Sequence, residues 1–369
     1  MNAQNIDSKP KVRKESKNKI KVEFDRTPLK ERIKAKFFSM YFLKKAAWWL
    51  IRYVLLIGIA YIVLFPFFSK ISASFMDKVD FTDATVRLIP KHFSLEIYKE
   101  IWVEQEYLRA FGNTLTLSLS TALIQTFICS FVAYGFAKFK FKGNKTLFLL
   151  VLLTLIIPHR TLASAMKTSF SGFDIFGIFG LLNGGGISIF GFEYTNDFLA
   201  SIDIIPDTWT RFTSGGIDLL NSYWPFILLS LTGLAFKNGL YIYLMRQFFK
   251  GVPDELEESA YVDGCGTFRT FLSIILPLSV PMMITIFLFA FSWQWTDNFY
   301  SEVFYTIGGP TMMPDIIKVP KSLNTKYAGE NMYVAAIRNT CGILILLPLL
   351  VLYSFMQRYI IQGIERSGI

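Results

Sequence analysis

Side chains that carry out catalysis or hold metals are scarce in this 369-residue chain. It has only two histidines, His92 and His159, far apart and without an ordered set of partner ligands. Its three cysteines, Cys129, Cys265 and Cys341, form no close pair, so neither a metal site nor an extracellular disulfide is expected. A Gly-x4-Gly-Lys-Ser/Thr phosphate loop is also missing. Gly143-Asn144-Lys145-Thr146 lacks the earlier glycine at the required spacing, which excludes ATP binding by that means. No Ser/His/Asp set or carboxylate pair converges, so the chain is not expected to be an enzyme by itself, nor to hold a cofactor. Charged residues amount to 18%, against 52% hydrophobic and 17% aromatic, a balance that suits an integral membrane protein.

Acids are the minority charge, with 28 Asp and Glu against 38 Lys and Arg, a net +10. The first 45 residues hold 14 Lys/Arg and 5 Asp/Glu, so nine of the ten net charges lie there. This basic stretch leads directly into an apolar segment. It therefore reads as a cytoplasmic flank against anionic lipid rather than a nucleic-acid contact.

Six membrane spans are predicted, near Trp48–Phe68, Gly112–Ala137, Thr146 to Pro158, Tyr223–Met245, Phe271–Trp295 and Tyr333–Phe355. Residues 31–46 read as an interfacial amphipathic helix, and residues 1–30 as a polar tail. The first span is expected to serve as its own signal anchor. The second is rich in Ser and Thr, expected to pack and hydrogen-bond between helices. Lys138, Lys140, Lys142 and Lys145 mark a cytoplasmic loop. Pro277 and Pro281 should kink the fifth span. Residues 166–221 form an extracytoplasmic insert, because seven glycines between Phe170 and Phe192 make a further span unfavourable.

One cytoplasmic stretch, Pro253 to Gly264, stands apart as an acidic helix of about three turns. Pro253 suits the first helical position. Asp254, Glu255, Glu257 and Glu258 complement the positive end of the helix dipole, and Gly264 suits a left-handed terminus. Small residues toward its end permit close approach of another surface.

Glu258-Ser259-Ala260, then Gly264, then Ile274-x-Leu276-Pro277 resemble the "EAA" loop of bacterial ABC importer permeases. Ser259 departs from the usual alanine. The string from Met245-Arg246-Gln247-Phe248-Phe249 to Asp263-Gly264 resembles the MalG-like branch of carbohydrate importers, and Asn113-Thr114-Leu115 and Ala133–Gly143 are also similar to it. The resemblance covers residues 48–165 and 222–363. It implies an all-α integral membrane fold, a type I ABC importer permease core of six transmembrane helices with a cytoplasmic coupling helix at 253–264 and an extracytoplasmic insert.

By the same resemblance, Glu255, Glu258, Ser259, Ala260, Asp263, Gly264, Leu276 and Pro277 are expected to couple the chain to an ATPase. Lys237 and Asn238, at membrane depth, are pathway candidates. So are Trp293, Gln294, Asp297 and Asn298, since aromatic faces stack on sugars and amides bond hydroxyls. An interfacial aromatic belt or helix packing explains the same residues.

The domain layout expected is a basic tail and interfacial helix (1–46), spans 1–3 (47–165), the insert (166–221), spans 4–6 (222–356) and a cytoplasmic C-terminal tail (357–369). The implied partners are a second homologous permease, two cytoplasmic ATP-binding subunits that carry the ATP and Mg, an extracytoplasmic substrate-binding protein and membrane lipid, with no nucleic acid. The location implied is the bacterial cytoplasmic membrane, multi-pass, with both termini cytoplasmic. A channel or secondary transporter without an ATPase, or a membrane scaffold, are the alternative functions.

Overall fold

The computed structural model describes residues 40–174, 216–306, 308–323 and 329–367, together with Lys326 and the short pieces 187–189, 192–194 and 212–213. The chain divides into two units, Met1–Phe67 and Phe68–Ile369. The described part of the first is helical. Helix α1, Met40–Ala73, starts in the stretch expected to lie flat at the interface and carries on without a break. Residues 31–39 of that expected interfacial helix, and the polar tail, lie outside the described residues.

The second unit is mostly helical. After the last residues of α1 it continues with a 3-10 turn, Lys78–Phe81, and α2, Glu96–Glu104. The buried Asp80 carboxylate fastens this segment by accepting the Lys91 and His92 N–H groups, each at 3.0 Å, and lying 2.7 Å from His92 Nδ1. Glu104 at the end of α2 accepts the N–H groups of Lys321 and Ser322. Those bonds, Ser322 first, hold its carboxyl below the usual range.

Helix α3, Tyr107–Lys138, is the centre of the unit. Between helices in lipid there is little hydrophobic drive, so close approach depends on small side chains. Ala110, Ser118, Ala122, Cys129, Ser130 and Ala133 form such a buried surface on α3. The Ser/Thr hydroxyls depart from expectation. Thr116, Ser120, Thr121, Thr126 and Ser130 each donate to a carbonyl four residues back in their own helix. Thr114, by contrast, bonds across elements, accepting the Met313 N–H at 2.8 Å.

Helices α4 (Asn144–Ile156) and α5 (His159–Ser171) bend by 100° at Pro158, where the expected break falls. The insert's first residues, 166–171, are the end of α5. Its described parts depart from an all-helical chain in two small antiparallel hairpins, β1–β2 (Ile187–Ile189, Phe192–Tyr194) and β3–β4 (Phe212–Thr213, Gly216–Ile217).

The fourth span is not the continuous helix expected. It consists of α6, Trp224–Leu231, and α7, Asn238–Lys250. The break follows from Gly233 at φ +73 and Lys237 at φ +69, both left-handed and incompatible with a running helix. Just past the break, α7 crosses α4 very closely. A Cβ on Gly239 would sit 2.7 Å from Thr154 Oγ1 and 2.8 Å from the Val151 carbonyl oxygen. Gly239→Leu should therefore lower stability by about 1–3 kcal/mol through overpacking. A thermal unfolding scan of the purified protein checks this, with an unshifted midpoint as the contrary result.

Helix α8, Glu255–Val262, begins after Asp254, so Pro253 precedes the helix instead of opening it, and the helix has eight residues, not three turns. There follow α9 (Thr267–Thr270), a π-turn (Phe271–Ile275) and α10 (Leu276–Leu278). α11, Val280–Trp295, leaves at a 77° bend, set between Pro277 and Pro281. α12, Phe299–Phe304, and a 3-10 turn, Met313–Ile316, lead to α13, Glu330–Ser367. The expected C-terminal tail, as far as Ser367, is the last part of α13.

Three helices are long and apolar enough to cross a membrane, and up to five if each bent pair counts once, among the described residues. The larger core gathers Ile101, Tyr241, Met245, Phe249, Ile286 and Trp295 between α2, α3, α7, α11 and α13, and the smaller gathers Leu117, Phe170, Leu220, Phe226, Phe304 and Met312.

Candidate functional site

The acidic helix α8 is fixed on one face and open on the other. Glu257 and Ala260, three residues apart and so on one side, are buried. Glu255, Glu258, Ser259 and Val262 are exposed, Val262 to 87%. An exposed surface of two acids with Leu256, Tyr261 and Val262 beside them is unusual for solvent and fits contact with another protein.

The buried face is anchored by Lys138, the last residue of α3. Its Nζ donates to the Val252 carbonyl oxygen at 2.7 Å and to Asp254 Oδ1 at 2.6 Å, and lies 3.8 Å from Glu257 Oε1. The Lys138 hydrogen bond draws the Asp254 carboxyl below its usual value, whereas burial raises that of Glu257. One turn back, Tyr134 packs against Phe271 at 4.7 Å and Phe249 at 5.8 Å between ring centroids. The platform under α8 thus draws on α3, α7 and the π-turn together.

The far end of α8 is closed as expected. Gly264 has φ +81, Cys265 N–H donates to the Ala260 carbonyl at 2.9 Å, and Gly264 N–H to that of Tyr261 at 3.0 Å. This pair of bonds is the Schellman arrangement, which needs a left-handed residue. Asp263 is exposed just before it. Leu276 and Pro277 sit beyond the π-turn, outside α8.

The pathway candidates lie elsewhere in the unit. Trp293, Gln294 and Asp297 line one cavity with Gln125, Ser230 and Tyr300. Its volume is about 20 Å³, room for roughly one water and far too little for a sugar ring. Gln125 Nε2 donates to Ser230 Oγ at 3.2 Å, and Gln294 Nε2 is buried with no partner among the described residues. Lys237 Nζ stands 4.6 Å from the Phe236 ring centre and 5.1 Å from that of Trp293, at the edge of this group.

Asn238 is not brought into the cavity. It is buried at the start of α7, its side-chain amide without a hydrogen-bond partner among the described residues. Asn298 is exposed and precedes α12. Asp297 caps that helix by accepting the N–H groups of Tyr300 at 3.3 Å and Ser301 at 3.0 Å. Trp295 is fully buried and donates to the Ile345 carbonyl at 3.0 Å.

Sequence reasoning misses Gln125 and reads Lys138 only as a marker of the inner side, while Tyr300 closes the aromatic stretch that begins at Trp293 without being one of the candidates drawn from it. His159 was set aside for want of ligands, yet its Nδ1 lies 2.7 Å from the Tyr300 hydroxyl. A long amide at membrane depth, among the short hydroxyl side chains of the second span, is the available signal for Gln125.

The galactooligosaccharides transport system permease protein GanQ of Bacillus subtilis (strain 168) is 27% identical over 86% of this chain and 94% of its own length. Protein LplC from the same organism is 26% identical, over 83% of this chain and 89% of its own. A crystal structure described as a bacterial ABC transporter involved in the import of the acidic polysaccharide alginate has the same fold, at TM-score 0.59 and 18% identity, over 86% of this chain and 97% of that one. Residues 125–366, about two thirds of the chain, match the family described as the binding-protein-dependent transport system inner membrane component. That match runs through the platform, α8 and the cavity alike, and the chain belongs to this family of importer permeases.

Proposed function

We propose that this chain is the permease subunit of an ATP-driven ABC importer that takes a carbohydrate or oligosaccharide from an external binding protein into the cytoplasm. The observation that carries the reading is a half-buried acidic helix, anchored to the central span, whose other face is left for a partner. α8 serves as the coupling helix. Glu255, Glu258, Ser259 and Asp263 face the ATPase, Ala260 seats the helix, Gly264 ends it, and Leu276 and Pro277 carry its movement into the bent fifth span.

The six-span core counts the three long helices, the two bent pairs, and α6 with α7 as one interrupted span. Both termini and α8 lie on the cytoplasmic side. The layout in domains follows from that count, with the insert outside. A second permease, two ATP-binding subunits holding ATP and Mg, and an external binding protein complete the complex. Closure of the ATPases around nucleotide moves α8, and the core passes between inward- and outward-facing states. The cavity around Gln294, with room for one water, suits a closed stage of that cycle. Trp293, Gln294 and Lys237 form the sugar-facing group once it opens, and Asp297 supports it by capping α12. The sugar class draws support from the names of relatives such as GanQ.

Proteoliposomes holding the full complex test this. Oligosaccharide uptake should require both ATP inside and binding protein outside. Uptake that persists without ATP would instead indicate a channel or secondary transporter. Deleting residues 1–30 should leave uptake near wild type, since this flank contributes no part of the pathway. A loss of uptake with normal insertion would favour the scaffold reading.

A further inference from the structure

We infer that an anionic phospholipid binds between α4 and α7, with its headgroup in a basic cavity and an acyl chain in the apolar cavity next to it. The first cavity, about 650 Å³, is lined by Lys140, Lys142, Lys145, Arg246 and Lys250, with no carboxylate in its wall. Apart from Lys140, which feels the Asp254 carboxylate outside the wall, these cations have no acid facing them and repel one another, so an anion that enters gains from the cluster. Arg246 is already held in place. Its guanidinium carbon stands 3.9 Å from the Phe148 ring centre, and its Nε donates to the Phe136 carbonyl at 3.3 Å. A guanidinium fixed in this way has little orientation left to lose on binding phosphate, and its terminal nitrogens offer the fork that phosphate accepts.

What favours a lipid over a free ion or an acidic protein is the neighbouring space. Phe136 lines both the basic cavity and a second one of about 320 Å³, walled by Leu147, Leu150, Val151, Gly233 and Ile242. α4 thus lines the basic cavity with its first turn and the apolar one with its next two turns. Leu149 and Leu153, on the same helix, are exposed as a lipid-facing surface would be. A cation cluster opening onto an apolar slot matches an amphiphile, and in an inner membrane component the amphiphile at hand is a phospholipid. The inference rests on membership of that family and not on which sugar is carried.

The test is native mass spectrometry of the assembled importer in detergent, titrated with phosphatidylglycerol or with phosphatidylcholine of the same acyl chains. Phosphatidylglycerol should be retained at least about tenfold better. The triple variant Lys140→Gln/Lys142→Gln/Lys145→Gln should bring it down to the phosphatidylcholine level, and Leu150→Trp, which fills the apolar cavity, should weaken it independently. Equal retention of the two lipids, or phosphatidylglycerol binding unchanged in the triple variant, overturns the inference. Displacement by millimolar inorganic phosphate with no effect of Leu150→Trp would assign the cavity to a free anion. Loss of the ATP-binding subunits from the triple variant with an unchanged lipid count would assign it to a protein contact. Both of these outcomes overturn it too.

Discussion

Gly264→Val is expected to reduce ATP-driven uptake and binding-protein-stimulated ATP hydrolysis together, while membrane insertion and assembly of the chain stay normal. The reason lies in the backbone. A Cβ added at Gly264 would meet nothing within 4 Å, so the chain itself does not exclude a side chain there. But φ at +81 is a conformation that costs an L-residue about 1–2 kcal/mol, and more for a β-branched one. Relief of that strain means losing the bonds from Gly264 and Cys265 that end α8, and with them the angle at which the chain leaves it. A helix that docks as a rigid body loses its fit with that angle, and a loss of 1–2 kcal/mol corresponds to roughly a tenfold drop in occupancy. Gly264→Asn, which tolerates the left-handed region, should keep most of the activity. If valine and asparagine are equally inactive, the backbone account is wrong, and any side chain there is simply in the partner's way.

The second large effect is expected at Lys138. In Lys138→Met the Val252 carbonyl loses its donor and Glu257 loses its nearby cation. Breaking a buried pair from one side costs about 3–5 kcal/mol when the other charge stays buried, and less once Glu257 takes up a proton. The sign is clear from the directions found. Burial already raises Glu257, so removal of Lys138 raises it further, and the damage grows as pH rises from the unfolded-state value through the folded-state one and then levels off. Uptake should fall steeply relative to ATP hydrolysis, because α8 stays formed but is no longer tied to α3. The double variant Lys138→Met/Glu257→Gln should recover part of the uptake and lose the added pH dependence. Comparing uptake per ATP in the three proteins over a pH series that rises from near the ordinary glutamate value of about 4.3 tests this. A double variant no better than the single one would show that the pair is not the tie.

Much of this was legible in the sequence, for reasons specific to the residues. The break at Pro158 and the bend between Pro277 and Pro281 follow from a missing N–H, which no tertiary contact restores. The left-handed end of α8 could be read from Gly264 because few residues adopt that conformation. The interruption of the fourth span was not legible. Gly233 alone is tolerated in many helices, and Lys237 at φ +69 is a backbone choice imposed by tertiary packing, in which Gly239 meets α4 directly. The same holds for the candidate site. Trp293, Gln294, Asp297 and Tyr300 are near neighbours in sequence and do share a cavity, whereas Gln125 and Ser230 reach it from two distant helices. Lys138 illustrates a different gap. A lysine following a span suffices to explain orientation, so nothing in the pattern showed that its ammonium reaches more than 100 residues along the chain to Asp254.

The central claim is that α8 is held by an ATP-hydrolysing subunit on the inner face. Disulfide or short-linker cross-linking tests it most directly. With Cys265 replaced by serine, and Cys129 and Cys341 left buried, a cysteine is placed at Val262 in the assembled complex. The account predicts a cross-link from Val262→Cys to the ATP-binding subunit and protection from a membrane-impermeant maleimide added outside intact cells. Labelling of that cysteine from outside, with no cross-link to the ATP-binding subunit, would contradict it.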